Sequence, residues 1–232
     1  MTVTMSAPRP RPPAGILVAG DPFGQAVIAD WFSRLVLCPL DAAAVRANRS
    51  EEMLAFVAGL ADELGVPAAS RTIIPFLSDQ APEQIERQLG HCYVLLFDGL
   101  SGPKAVSLCE SAYAGAGGRL FQAPFTEMLA LLRALDVSVG GTCREPADHL
   151  AIELAALAEA TRQGHAALTT PMIRRLSGWV PLVTQAVCRT GLSDFYAVVF
   201  TLLDAFVAVL ASSSGGDRPN ENRKLLSGVS DV

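Results

Sequence analysis

Asp148, His149 and Glu153 fall within one short stretch, REPADHLAIEL, from Arg144 to Leu154. An adjacent aspartate and histidine can serve as orienter and general base. A histidine and a glutamate four residues apart on a helix can meet, or share a metal. Both chemistries need more than the pair. A base needs a nucleophile or a bound water, and no G-x-S-x-G elbow or Cys–His arrangement is visible. A metal needs further ligands, and the remaining histidines, His91 and His165, do not fall at ligand spacing. The third outcome is a buried His–Glu contact in which each group satisfies the other. Periodicity leaves the three open.

The element that must carry these residues is a helix. The pattern predicts that it begins at Glu145, with Pro146 at the first helical position and Asp148 in the first turn, where a carboxylate suits the free N–H groups. Leu150, Leu154 and Leu157 form one stripe, Ala151, Ile152, Ala155 and Ala156 cover most of the rest, and only Glu153, Glu159 and Arg162 interrupt. A helix apolar nearly all round is buried on more than one side. His149 and Glu153 are therefore the odd residues, placed close to buried surface.

A second constellation is YVLLFDGLSGPKAVSLCESAY, Tyr93 to Tyr113. A helix ends on Leu95, Leu96 and Phe97, Gly99 stops it, and a loop leads to Glu110, Ser111 and Tyr113. The plain reading is a helix, a glycine stop and a turn. The functional reading is an apolar floor with hydroxyls and acids at its rim, suited to an apolar peptide with a basic neighbour. The glycines form no phosphate loop, since G-x-x-x-x-G-K-[ST] is absent.

The chain has 232 residues, 50% hydrophobic and 18% charged, enough for a sizeable core. A net charge of -5 disfavours nucleic acid and anionic membrane, and leaves room for a basic peptide. Five scattered cysteines without a C-x-x-C pair predict free thiols in a reducing compartment. Ile16 to Ala19 is shorter than a signal-peptide core of ~7–15 residues. The most membrane-like run, FYAVVFTLLDAFVAVLA, is interrupted by Asp204 and reads as a buried helix. A cytoplasmic protein without a membrane span is expected.

Strand signals are few and helical spacing is common, so the expected fold is an all-α bundle of about ten helices in two lobes. Residues 1–20 read as a proline-rich arm, 21–136 as an N-terminal lobe, 137–144 as a hinge, 145–211 as a C-terminal lobe and 212–232 as a polar tail. Val27, Trp31 and Leu35 set the face of the first helix, which stops near Pro39. Asp41 and Ser50 cap the next two, and Gly65 ends the second of these. Further helices run from Pro82 to the Gly99 stop and through APFTEMLALLRALD. Gly178 and Pro181 are expected to split the run after His165 into two helices around Trp179. The last helix is capped by Ser193.

With both constellations in view, the chain resembles the TorD/DmsD family of molybdoenzyme chaperones, over roughly residues 20–210. Tyr93, Leu96, Phe97 and Gly99 match its Y-x-x-L-F-x-G signature, and Glu145, Pro146, Asp148, His149, Glu153 and Leu154 match E-P-x-D-H-x-x-x-E-L. ESAY at Glu110–Tyr113 and GRLFQAPFTEML at Gly118–Leu129 look like its connecting stretch, and lean toward the TorD branch. Leu100–Ser101 and Cys109 depart from many members.

The resemblance implies a chaperone, not an enzyme. It implies partners in a twin-arginine leader peptide and the apo form of a trimethylamine N-oxide or dimethyl sulfoxide reductase. It also implies a monomer or domain-swapped dimer, and no tightly bound cofactor beyond transient GTP or molybdopterin guanine dinucleotide. Leu96 and Phe97 would then touch the leader's apolar core, Asp148, Glu110 or Glu145 its basic end, and His149 the junction. Two other classes remain: a helical assembly scaffold, and a GTP-hydrolysing enzyme using Asp148 and His149.

Overall fold

The computed structural model describes residues 2–3, 20–98, 102, 105–114, 119–140 and 143–214. Among these lie ten helices: α1 (Pro22–Leu37), α2 (Ala42–Asn48), α3 (Glu51–Glu63), α4 (Ala68–Ser78), α5 (Pro82–Phe97), α6 (Ser111–Ala114), α7 (Ala123–Ala134), α8 (Leu150–Arg162), α9 (Ala166–Thr190) and α10 (Asp194–Ser214). The fold is all-α. Two short strands, β1 (Thr2–Val3) and β2 (Ser138–Val139), pair in parallel. Gly99 and most of the expected arm and tail lie outside the described residues.

Local chemistry starts α2 and α3 as the sequence indicates, and Asp21 starts α1 in the same way. Asp21 accepts from Phe23 N at 3.0 Å, Asp41 from Ala44 N at 2.7 Å and Ser50 from Met53 N at 3.3 Å. Each removes one of the free donors at a helix start. Gly65, at φ 71°, takes the left-handed turn after α3 that a side chain would strain. Ser214 still belongs to α10, and the hydroxyls of Ser212, Ser213 and Ser214 donate to the carbonyls four residues back. The polar tail thus begins later than 212.

α8 is the centre of the core. Every residue from Leu150 to Ala160 is buried, Glu153 and Glu159 included. It packs on α1 and α9, while α10 packs on α9 and α4. Ser33 on α1 donates to Ala151 O at 2.7 Å, and the rings of Phe32 and Phe206 lie 5.8 Å apart. Buried side chains from before and after residues 137–144 form one apolar cluster.

Three expectations are corrected and one helix is added. α8 begins at Leu150, not Glu145, because His149 takes the capping position and Pro146 and Asp148 sit in the turn before it. α9 is one helix of 25 residues despite Gly178 and Pro181. An interior proline costs about 3 kcal/mol, yet burying Trp179, Val180 and Val183 returns about 1.5–3 kcal/mol each. α4, with Pro75 inside it, was not anticipated. The buried face of α1 runs through Ile28, Phe32, Leu35 and Val36, with Val27 and Trp31 only half-buried.

Candidate functional site

The two constellations meet across one extended segment, residues 105–110. Val106 N donates to Leu96 O at 2.7 Å, at the end of α5. Leu150 N donates to Leu108 O at 2.8 Å and Glu110 N to Asp148 O at 3.0 Å, so the same segment runs antiparallel beside the turn before α8. Glu145 lies close enough to Tyr93 for its charge to be felt there, and close enough to Asp98 to feel that carboxylate.

At the aromatic side, Tyr93 is buried and its hydroxyl donates to Leu37 O at 2.9 Å, holding the end of α1. Burial pushes this phenol well above its ordinary pKa. Leu96 is 0% exposed. It lies beneath the surface that Phe97 partly exposes. Phe97 is half-buried, with ring centroids 5.0 Å from Tyr93, 5.5 Å from Tyr196 and 5.9 Å from Phe200. Tyr196 stacks edge-on against Phe195, which lines a cleft of about 240 Å³ with Phe76, Cys92 and Leu192.

At the histidine side, the expected His149–Glu153 contact is replaced by separate partners. His149 caps α8, its Nδ1 accepting from Ala151 N at 3.2 Å, and its Nε2 lies 3.8 Å from Glu145 Oε2. Burial lowers its pKa to about 4, against the pull of Asp148. The ring is therefore neutral with its proton on Nε2, and offers no free lone pair to a general-base step. Neighbouring Cys109 is pushed up to about 12, first by burial and then by Asp148, so it is no thiolate nucleophile. Among the described residues no group of His, Cys, Asp and Glu suits a metal.

Asp148 is fully buried. Its Oδ2 accepts from Ser111 N at 3.0 Å and from the Ser111 hydroxyl, which itself accepts from Gln122 N at 3.1 Å. Its Oδ1 has no hydrogen-bond partner among the described residues. So this carboxylate ties α6 to the turn, rather than capping a helix as the sequence suggested.

Glu153, 1% exposed, accepts from Arg175 Nε at 3.2 Å and from Trp179 Nε1 at 3.1 Å. Arg175 also pairs with Glu110, reaches Glu127 at 3.0 Å and donates to Pro124 O at 2.6 Å. Burial raises the pKa of both Glu110 and Glu153, and Arg175 only partly opposes this. Tyr113 lays its ring 5.6 Å from that of Trp179 and donates to Ser107 O at 2.8 Å. Arg175 and Trp179 were not singled out from the sequence. The available signal was a charge, Arg175, inside the buried arc of Met172, Leu176, Trp179 and Val183.

Of the candidate residues, Glu145 is exposed and Phe97, Glu110, Tyr113 and Pro146 are half-buried, whereas Tyr93, Leu96, Ser111, Asp148, His149 and Glu153 are buried. What the arrangement can do is bind: a partly open aromatic floor, an acidic edge of Glu145 and Asp98, and a locked interior.

Residues 52–185, which include every candidate residue, match the family model described as nitrate reductase delta subunit. A protein of Photobacterium profundum named chaperone protein TorD is 29% identical over 78% of this chain and 90% of its own length. Proteins of the same name from Vibrio parahaemolyticus and Ferrimonas balearica are 31% and 26% identical, over 56% and 80% of this chain and 60% and 87% of their own. The chain belongs to the TorD family. TorD proteins are chaperones and not enzymes, which suits a site whose histidine has no free base and whose thiol is inert.

Proposed function

We propose that this chain is a cytoplasmic chaperone for a molybdopterin-dependent reductase of the trimethylamine N-oxide or dimethyl sulfoxide type. It binds the enzyme's twin-arginine leader and its apo form, and assists cofactor insertion before export. The observation that carries this reading is the junction itself. The half-buried Phe97 opens beside the exposed acids Glu145 and Asp98, so an apolar run and a basic end can be gripped together. The aromatic contacts from Phe97 through Tyr196 to Phe195 lead toward the cleft, which would take the leader's apolar residues. Burying each large side chain would contribute about 1.5–3 kcal/mol, and the acids would mainly set selection and on-rate.

The charges here do not suit a triphosphate. Glu145 and Asp98 would repel it, and Arg175 is already taken by carboxylates. No nucleotide step is assigned to this site. One helix among the described residues, α10, is long and apolar enough to cross a membrane, but half of its most apolar window is buried against the rest of the fold.

The test is calorimetric titration with a synthetic twin-arginine leader peptide of such a reductase, using Phe97→Ala and Glu145→Arg, since Glu145 is exposed and Phe97 only half-buried. Together they should weaken binding at least about tenfold, roughly 1.4 kcal/mol, while circular dichroism stays unchanged. Undiminished affinity in the double variant would reject the site.

A further inference from the structure

The turn into α7 holds an aromatic ring out into water. Leu120 and Phe121 are 43% and 61% exposed. Phe121 sits at φ 57°, in the left-handed region that a bulky side chain rarely adopts. The turn is pinned there by its neighbour. Gln122 N donates to the Ser111 hydroxyl at 3.1 Å, and the Gln122 side chain donates to Leu120 O at 2.9 Å. Ser111 is in turn fixed by Asp148. A strained backbone that is braced from the interior and presents an exposed phenylalanine points to a contact made outside the chain.

α7 extends this apolar surface. The Phe121 ring meets that of Phe125 edge-on, 5.1 Å away. Phe125, Leu129 and Arg133 then follow at four-residue steps along one side of the helix, a row about 12 Å long. Phe125 and Leu129 are half-buried, whereas the neighbouring row of Pro124, Met128 and Leu132 is turned into the core. Both ends of the surface are basic, since Arg119 precedes it and Arg133 closes it, each exposed. That sign is opposite to the acidic edge of Glu145 and Asp98, so a basic leader is not what this surface selects.

We infer that this surface docks an apolar segment bordered by acidic side chains, carried by the body of the apo-reductase and not by its leader. The inference rests on the chaperone reading and deepens it, because two surfaces of opposite charge then address two parts of one client. Charge disfavours the other occupants. Self-pairing of two copies sets Arg119 against Arg133 in one direction and against itself in the other, like charges both ways. An anionic membrane is opposed by the net charge of -5.

The experiment is calorimetric titration of the full chain with two probes. One is trimethylamine N-oxide or dimethyl sulfoxide reductase made without leader and without molybdopterin, each tried in turn. The other is a synthetic twin-arginine leader peptide. Phe121→Asn removes the ring and keeps the turn, since asparagine tolerates the left-handed backbone. It should weaken binding of the leaderless reductase at least about tenfold and leave leader affinity within about twofold. Arg119→Glu with Arg133→Glu should also weaken reductase binding, more at low salt than at high. Undiminished reductase binding in both variants, or an equal loss of leader affinity, overturns the inference. So does a dimer in sedimentation that Phe121→Asn dissociates, or phosphatidylglycerol vesicles that capture the unaltered protein and not Phe121→Asn. Failure of both leaderless reductases to bind the unaltered protein overturns it as well, and leaves the leader site standing. Reductase binding that Phe121→Asn weakens, beside a leader peptide that does not bind, upholds the inference and rejects the leader site. The arginine variant decides the matter if Phe121→Asn does not fold.

Discussion

His149 shows how one side chain can look catalytic in sequence and be structural in place. Its Nδ1 is spent on Ala151 N, and burial lowers its pKa to about 4 from 6.5. The unfolded chain therefore binds more protons than the folded one between those values. The associated stability is complete above 6.5 and is lost as pH falls toward 4, by at most about 3 kcal/mol. His149→Asn keeps a capping acceptor without the titration, so its thermal midpoint should fall less steeply on acidification. Parallel acid limbs in the two proteins would refute this. Glu153 acts in the opposite sense. Its pKa is raised, so its share of stability is present at low pH and is lost as pH rises through the folded value. Arg175→Ala strands a fully buried carboxylate, and should cost about 3–5 kcal/mol near neutrality and less at acid pH, where Glu153 takes a proton. Denaturant titration at two pH values checks both parts.

Among the elements, those governed by neighbouring residues were legible in the sequence and those governed by distant partners were not. Asp41 and Ser50 cap their helices within three residues, so α2 and α3 follow from local pattern. The entrance of α8 offered the same kind of pattern, proline then aspartate, and it misled. Asp148 is held by Ser111, 37 residues earlier, and the cap falls to His149. Likewise the split predicted at Gly178 and Pro181 fails because Trp179 and Val180 are buried against other helices. For the candidate site, the signature residues could be named from the sequence, but not that most of them lie beneath the surface. Burial in a bundle depends on which helices become neighbours. α9 also gives a prediction of its own. A Cβ at Gly178 would meet nothing within 4 Å, so Gly178→Ala should stabilise by about 0.5–1 kcal/mol, raising the thermal midpoint. A fall in the midpoint would mean that the helix is broken there.

At the scale of the whole molecule, the design is a rigid centre with a working edge. α8 is buried along its length, packs on α1 and α9, and carries at its entrance the turn that forms one wall of the site. The segment of residues 105–110 joins that turn to the end of α5, and Arg175 ties α9 to that segment through Glu110 and to α8 through Glu153. Asp148 and Glu153 are sealed inside the junction, while Glu145 and Asp98 are exposed and Phe97 is half-buried, a division that under the proposed function separates stability from recognition. Amide hydrogen exchange should therefore find the slowest protons in α8.

The central claim is that the junction of these two segments grips the leader. It is tested most directly by photo-crosslinking a leader peptide that carries a benzophenone in its apolar run, followed by mass spectrometry of the adducts. The account predicts adducts on the second half of α5 and on residues 143–149. Adducts confined to the surface around Arg46 and Glu83, where α2 packs on α5, would contradict it.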